Sequence, residues 1–321
     1  MKHIWSIFMV SLFLVLSACS SATETSLKGE VESGKGRSVT VLDDTGTEIK
    51  FEKTPERIGC LTEICVDTLY QLGLEPIAVS PGGITTEPEF FGDKGKDFAS
   101  IGGSFFEPNI EDIYSNELDL VVGLEGVHDS LRESLKGSVP LYITSPTTYE
   151  ESLKFVLEFG KILGKEDEAK KVTNDFREKL ESYKERSPKD KTALIMYGSD
   201  TSFGIDTSKS VMGSLLGELT KYPWEARKGS NEEGAQFSLE EVLKQDPNVI
   251  FVETFSFGAE KGPALSEQLA KNPIWRELKA VKNGEVHEVR TNIWASGRGV
   301  GSLNIVLEDA MSILYPETVK E

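Results

Sequence analysis

At 321 residues the chain is long enough for two ordinary domains, and with 38% apolar and 27% charged residues it is a globular body rather than a disordered one. Its 53 acids outnumber its 35 lysines and arginines, leaving a net charge of -18. That balance argues against nucleic acid and anionic membrane surfaces as partners, because both would repel it.

The chain opens MKHIWSIFMVSLFLVLSACS, with Lys2, an apolar run from Ile4 to Leu16, small residues and then Cys19. This reads as a secretory signal over 1–18, since the apolar run is short for a membrane-spanning helix. The ending Leu16-Ser17-Ala18-Cys19 resembles a bacterial lipoprotein box, in which the cysteine is lipidated and becomes the mature N-terminus. Residues 19–37, polar and rich in Gly and Ser, read as a flexible tether. The body is therefore expected outside the cytoplasm, held to the cell membrane by lipid alone. The long tether favours a Gram-positive surface. In that setting Cys60 and Cys65 are free to form a disulfide, or to be two small buried side chains near a strand end.

From residue 57 the chain alternates short strands with helices. RIGCL (57–61) predicts a strand, DTLYQLGL (67–74) a helix stopped by Gly73, and PIAVS (76–80) and FASIGG (98–103) further strands. A helix from Ile110, the strand LDLVVG (118–123), a helix from His128 to Leu135 and the strand PLYIT (140–144) follow. Strand–helix–strand alternation predicts a parallel sheet covered on both faces.

From Tyr149 to Arg186 the strand signal vanishes. Leu153, Val156, Leu157 and the run from Phe159 to Leu163 predict one apolar helix ended by Gly164. Ala169, Val172, Phe176, Leu180 and Tyr183 then mark an amphipathic helix roughly 30 Å long, about one domain diameter. Strand and helix alternation resumes at TALIMYG (192–198). It continues through VMGSLLGEL (211–219), SLEEVLKQ (238–245), NVIFVE (248–253), ALSEQLAKNPIWREL (264–278, broken near Pro273), GEVHEV (284–289) and SLNIVLEDAMSIL (302–314). The expected architecture is α/β. Two Rossmann-like lobes with parallel-type sheets, 38–147 and 189–321, are joined through a helical region, 148–188, by one long rigid helix, with a ligand cleft between the lobes.

One sentence of this chain is written twice. PNIEDIYSNELDLVV from Pro108 and FSLEEVLKQDPNVIFV from Phe237 match class for class, Asn109 with Ser238, Glu111 with Glu240 and Asp112 with Glu241. Ser238 and Glu241 have the spacing of a capping box, and Asn109 and Asp112 occupy the same slots. Acids in a first helical turn also suit its positive end by roughly 0.3–1 kcal/mol. Capping accounts for Asp112 and Glu241. It does not call for Glu111 and Glu240, which sit one step earlier and point elsewhere on the turn.

The lipoprotein box, the strand ERIGCL, the long middle helix, the paired acidic helices and the tail LAKNPIWRELKAVKNGEVHEV together resemble the periplasmic-type binding proteins of ABC importers. The branch is the one whose two lobes share a helical spine and which takes up ferric siderophores, heme and corrinoids. The resemblance covers about residues 38–318. It implies a monomeric receptor for a permease dimer and its ATPase, with one glutamate on each lobe meeting permease arginines. Those glutamates fall on Glu111 and Glu240.

The ligand site is expected in loops after the strands. The candidates are Phe105, Phe106, His128, Tyr197, Phe203, Trp294 and Arg298. Phe105 and Phe106 are adjacent, so one is expected to face the core. Arg298, in the glycine-flanked ASGRGVG, could clamp anionic oxygens. A bare metal ion is a poor fit, because only His128 and His287 follow the signal and direct sites want several such ligands. Heme needs an axial ligand, for which His128, Tyr197 or Met212 could serve. Catecholate binders of the family carry cations where this chain has Ser104, Gly126, Tyr197 and Ser199, so a trianionic complex fits less well than a ferric hydroxamate or a corrinoid. No resident cofactor is expected.

An enzyme is the competing class. GRGVG lacks the G-x-G-x-x-G spacing, no G-x-S-x-G elbow is present, and the acid pairs Asp43-Asp44 and Glu232-Glu233 read as solvated loops. A purely structural surface lipoprotein is the third reading. It would need neither a cleft nor the paired glutamates.

Overall fold

Residues 38–227, 234–235, 237–254 and 263–318 are described by a computed structural model. The signal, Cys19 with its tether, and the pair Glu232-Glu233 lie outside them. An antiparallel hairpin comes first, β1 (Val39–Leu42) with β2 (Glu48–Phe51). The first lobe follows: β3 (Ile58–Cys60), α1 (Glu63–Gln71), β4 (Ala78–Val79), a 3-10 turn (Gly92–Asp97), β5 (Ala99–Ser100), α2 (Ile110–Ser115), β6 (Leu120–Leu124), α3 (Leu131–Leu135) and β7 (Leu141–Thr144). Two helices, α4 (Tyr149–Leu163) and α5 (Glu166–Arg186), precede the second lobe. That lobe holds β8 (Ala193–Gly198), β9 (Phe203–Asp206), α6 (Val211–Leu219), β10 (Gly234–Ala235), α7 (Leu239–Gln245) and β11 (Val249–Glu253). It continues with α8 (Leu265–Leu269), α9 (Pro273–Glu277), α10 (Lys279–Asn283), β12 (Val286–Val289), α11 (Thr291–Trp294) and α12 (Val300–Leu314).

The first sheet has order β5-β4-β3-β6-β7 and all its pairs are parallel. Apart from the edge strand β5 its strands are buried on both faces, which is why LDLVVG reads as a continuous apolar run. Alternate residues serve different layers. Leu120, Val122 and Tyr142 face the main core, where Tyr142 meets Phe155 and Phe159 of α4 edge-on. Val121, Leu141 and Ile143 face a second cluster with Ile113, Leu131 and Leu135. The second sheet has order β10-β9-β8-β11-β12, with β8, β11 and β12 parallel and β9 and β10 antiparallel additions.

The middle helices pack on each other in opposite directions. Gly164 turns the chain at a left-handed φ of 65°, and the Lys165 amide donates to the Gly160 carbonyl. Tyr149 at the start of α4 lies 6.2 Å from Phe176 of α5, ring to ring. The long helix α5 spans 21 residues, about 30 Å. It carries Ala169, Thr173, Phe176 and Leu180 on its buried face.

Two polar clusters fix the lobes. Asp43 is buried and receives Arg132 Nη2 at 2.6 Å, the Thr45 and Thr47 amides and the Ile143 amide. Burial works against its charge, yet those hydrogen bonds hold its pKa below the usual aspartate range. Asp44 accepts from Thr144 Oγ1 and the Ser145 amide. The pair is therefore a tie between the hairpin and β7, not a solvated loop. The second cluster joins the lobes. Asp67 of α1, fully buried, accepts from the Gly301 amide at 2.8 Å and from the Ser302 amide and hydroxyl at 2.7 Å. It caps α12, whose own N-cap, Gly299, has no side chain to offer. Burial raises the Asp67 pKa to about 6, against the pull of those bonds, and nearby Glu63, holding the Ile84 amide, is raised to about 7 by the same cause.

Cys60, at the end of β3, and Cys65, in the first turn of α1, are joined as a disulfide with their Cα atoms 5.5 Å apart, and both are buried. Among the described residues no helix is long and apolar enough to cross a membrane.

Candidate ligand and docking sites

The loops at the carboxyl ends of the two sheets meet. After β12, Arg290 Nη1 reaches Glu89 at 2.9 Å and Glu87 at 3.3 Å, in the loop after β4. Asn292 donates to Glu87 and to the Gly83 carbonyl of the same loop. Arg298 Nη1 donates to the Pro146 carbonyl, just after β7, at 3.2 Å. Strand ends facing one another across a lobe boundary are where such sheets bind small ligands.

Phe105 and Phe106 lie on this rim. Ser104 and Glu107 exchange backbone hydrogen bonds at 3.1 and 3.2 Å, so the two phenylalanines form the tip of a tight hairpin that follows β5. Gly103 permits the turn at φ 89°, where a Cβ would stand 2.3 Å from the Glu107 carbonyl oxygen. The expectation that one ring faces the core is not met. Phe105 is 43% and Phe106 65% exposed, and the rings pack edge-on at 5.3 Å. Two adjacent residues at a two-residue tip have no sheet pleat to send them to opposite sides.

His128 is fully buried behind this tip. Its Nδ1 accepts the Leu124 amide at 2.9 Å, and its Nε2 lies 2.7 Å from the Phe105 carbonyl oxygen, which it serves as donor. Burial depresses its pKa, so the ring is neutral. With both nitrogens engaged, His128 is not a direct ligand-contact or axial residue. Trp294 is also corrected. It is buried, stacks on Phe251 at 4.8 Å and donates Nε1 to Asp309, as a core residue of the second lobe rather than a cleft wall. Met212 is 2% exposed within α6, and so it too is removed as an axial ligand. His287 on β12 pairs with Glu285 at 3.1 Å.

Tyr197, Phe203 and Arg298 are half-buried on the second lobe. Tyr197 stands beside Gly204 and Glu253 in the sheet register, and a Cβ on Gly204 would lie 2.5 Å from its ring. Glu253, 2% exposed, ends β11 on the same sheet face as Tyr197. Its pKa is raised well above the ordinary value, first by burial and then by the charge of Asp206, while Arg298 pulls the other way. Burial and the Asp206 charge therefore favour the protonated form of Glu253. Sequence reasoning missed it, and also Asp206, because an acid closing an apolar strand looks the same as one facing water.

The duplicated unit occupies equivalent places. α2 leads into β6, the neighbour of β3 and β7, and α7 leads into β11, the neighbour of β8 and β12. Ser238 and Glu241 make the full capping box. Asn109 instead accepts the Glu111 amide, and Asp112 leaves the cap altogether to accept the Gly102 amide at 2.8 Å. Glu111 and Glu240 are each the second residue of their helix and both are exposed. Among the described residues neither carboxylate has a hydrogen-bond or ion-pair partner.

Two parallel-stranded lobes with the same helix-to-strand unit in each now have counterparts. The periplasmic binding protein family matches residues 58–292. The chain belongs to that family. It is a family of binding proteins, not of enzymes. The Fe(3+)-citrate-binding protein YfmC of Bacillus subtilis (strain 168) is 27% identical over 306 residues, covering 94% of this chain and 93% of the relative. The probable siderophore-binding lipoprotein YfiY of the same organism is 28% identical over 324 residues, covering 96% and 97%. Among solved structures, the triscatecholate siderophore binding protein FeuA from Bacillus subtilis superposes with a TM-score of 0.72 at 21% identity, covering 88% of this chain and 99% of that one. That likeness extends to the fold.

Proposed function

We propose that this chain is the extracytoplasmic, lipid-anchored receptor of an ABC importer and that it captures a ferric chelate between its lobes. The relatives named for Fe(3+)-citrate and siderophore binding support iron as the cargo, and the relative named a lipoprotein supports the anchor at Cys19. The observation that carries the ligand class is the exposed Phe105–Phe106 tip at the carboxyl end of the first sheet. Exposed apolar rings suit the organic shell of a near-neutral complex, a ferric hydroxamate. A highly anionic catecholate complex suits a chain of net charge -18 less well. Heme loses two of its three axial candidates, because His128 and Met212 are buried in the fold, and keeps Tyr197. Glu111 and Glu240, exposed and without partners among the described residues, suit one arginine-bearing surface on each half of a two-fold permease.

The test is a titration followed by intrinsic fluorescence, using ferrichrome, ferric citrate, a ferric triscatecholate, hemin and cyanocobalamin. Saturable quenching at sub-micromolar ferrichrome, and weaker or none with the others, supports the reading. Saturation by hemin or the triscatecholate alone overturns the hydroxamate assignment, and silence with all five overturns the chelate assignment.

A further inference from the structure

A hairpin that projects two phenyl rings into water has few contacts of its own to keep it in one shape. Its base is fixed: the Asn109 amide donates to the Gly102 carbonyl at 2.8 Å, Gly103 bridges to Pro108, and Asp112 holds the Gly102 amide. Its tip is closed by the Ser104 hydroxyl, which accepts the Glu107 amide at 3.0 Å, and is tied to the sheet behind it by His128. The Phe105 carbonyl is taken by His128 Nε2 at 2.7 Å, and the Phe105 ring lies edge-on to the imidazole at 5.3 Å and 75°.

His128 cannot drift. Its Nδ1 is fixed by the Leu124 amide, and its Cβ lies so close to β6 that a Cβ on Gly123 would stand 2.8 Å away. The imidazole therefore transfers the rigidity of an inner, largely buried strand to a rim that has little of its own. A side chain held in its binding position before the ligand arrives loses less freedom on binding.

We propose that His128 is a positioning residue for the ligand: by holding the Phe105 carbonyl to the β6 framework it sets the Phe105 and Phe106 rings in their binding orientation. The proposal rests on the reading that this tip lines the chelate site. It assigns the histidine no contact with the chelate.

Two substitutions separate positioning from simple packing. His128→Asn keeps an oxygen near the Leu124 amide but is too short to reach the Phe105 carbonyl. His128→Gln keeps a donor at the reach of Nε2. Ferrichrome affinity is measured on the full chain for wild type, H128N, H128Q and F106A, with the unfolding midpoint and the hydrogen exchange of the Ser104 and Glu107 amides recorded for each. The expected result is a roughly tenfold loss of affinity and faster exchange in H128N, with H128Q within about threefold of wild type and the two midpoints similar. If F106A weakens binding while H128N and H128Q bind alike, the positioning role is overturned and the site reading stands. If F106A binds as wild type does, the tip is not at the site and the proposal falls with it. No binding of ferrichrome by wild type overturns the hydroxamate reading and this proposal together.

Discussion

Replacing Asp67 with asparagine removes a titrating group from the junction between the lobes while keeping the shape of the side chain. Two effects compete at this site. The N-terminus of α12 favours the anion, typically by up to about 1 kcal/mol and more where buried. Removal from water favours the neutral acid, and in this pocket burial wins, raising the pKa from 3.8 to about 6. A raised folded pKa means the folded chain binds the proton more tightly than the unfolded chain. The associated stability is present below the ordinary aspartate value and is lost as pH rises through about 6. For these two values the linkage integral is about 1.4 kcal/mol at about pH 5 and close to zero at about pH 8. Glu63, raised to about 7 partly by the Asp67 charge, adds in the same direction. Urea unfolding of wild type and Asp67→Asn at the two pH values checks this, with the slope confirming that both unfold alike. The wild type should hold about 1.4 kcal/mol more of its advantage at the lower pH. An advantage that is equal at both, or larger at the higher pH, would show that the helix terminus outweighs burial and would refute the reasoning.

Other consequences follow from single contacts. Reducing the Cys60–Cys65 disulfide, which closes a loop of five residues' separation, should lower stability by roughly 2 kcal/mol on the chain-entropy estimate, read as a shift in the denaturation midpoint with and without reductant. Because both sulfurs are buried, thiol labelling of the reduced chain should be slow until it unfolds. Trp294→Phe loses the bond to Asp309 and should destabilise by about 1–3 kcal/mol while leaving chelate affinity unchanged; a selective loss of affinity would restore Trp294 to the site. Glu253→Gln should bind chelate as wild type does at neutral pH. It should also remove a loss of stability that wild type shows as pH rises, because the raised pKa of Glu253 makes its ionisation unfavourable to the fold.

Much of the fold was legible because its chemistry is local. Strands such as LDLVVG and NVIFVE are buried on both faces, so they appear as unbroken apolar runs. The spacing of Ala169, Phe176 and Leu180 gave the long helix, and the Ser238–Glu241 capping box was visible as a spacing. The β1–β2 hairpin was not legible. Its strands have four residues each, and beside the local bonds of its turn Asp43 is held by Arg132, 89 residues away. β9 was missed for a similar reason, being four residues after a polar turn. At the site, the sequence marked the rim through Phe105 and Phe106 but could not separate rim from support. His128 and Trp294 are residue types that serve equally well as ligand contacts and as buried partners. What decides between them is a carbonyl 23 residues away for one and Asp309 for the other, and neither is visible in a local pattern.

The most direct test of the account is iron transport measured beside binding on the same protein. Cells lacking their own copy receive wild type or the Glu111→Ala, Glu240→Ala double variant, and uptake of radioactive ferric ferrichrome is followed while the affinity of each purified chain is titrated. Both carboxylates are exposed and without partners among the described residues, so their removal should leave fold and affinity unchanged. The account predicts that uptake falls to the level of cells without the protein. Uptake by the double variant at the wild-type rate would contradict it.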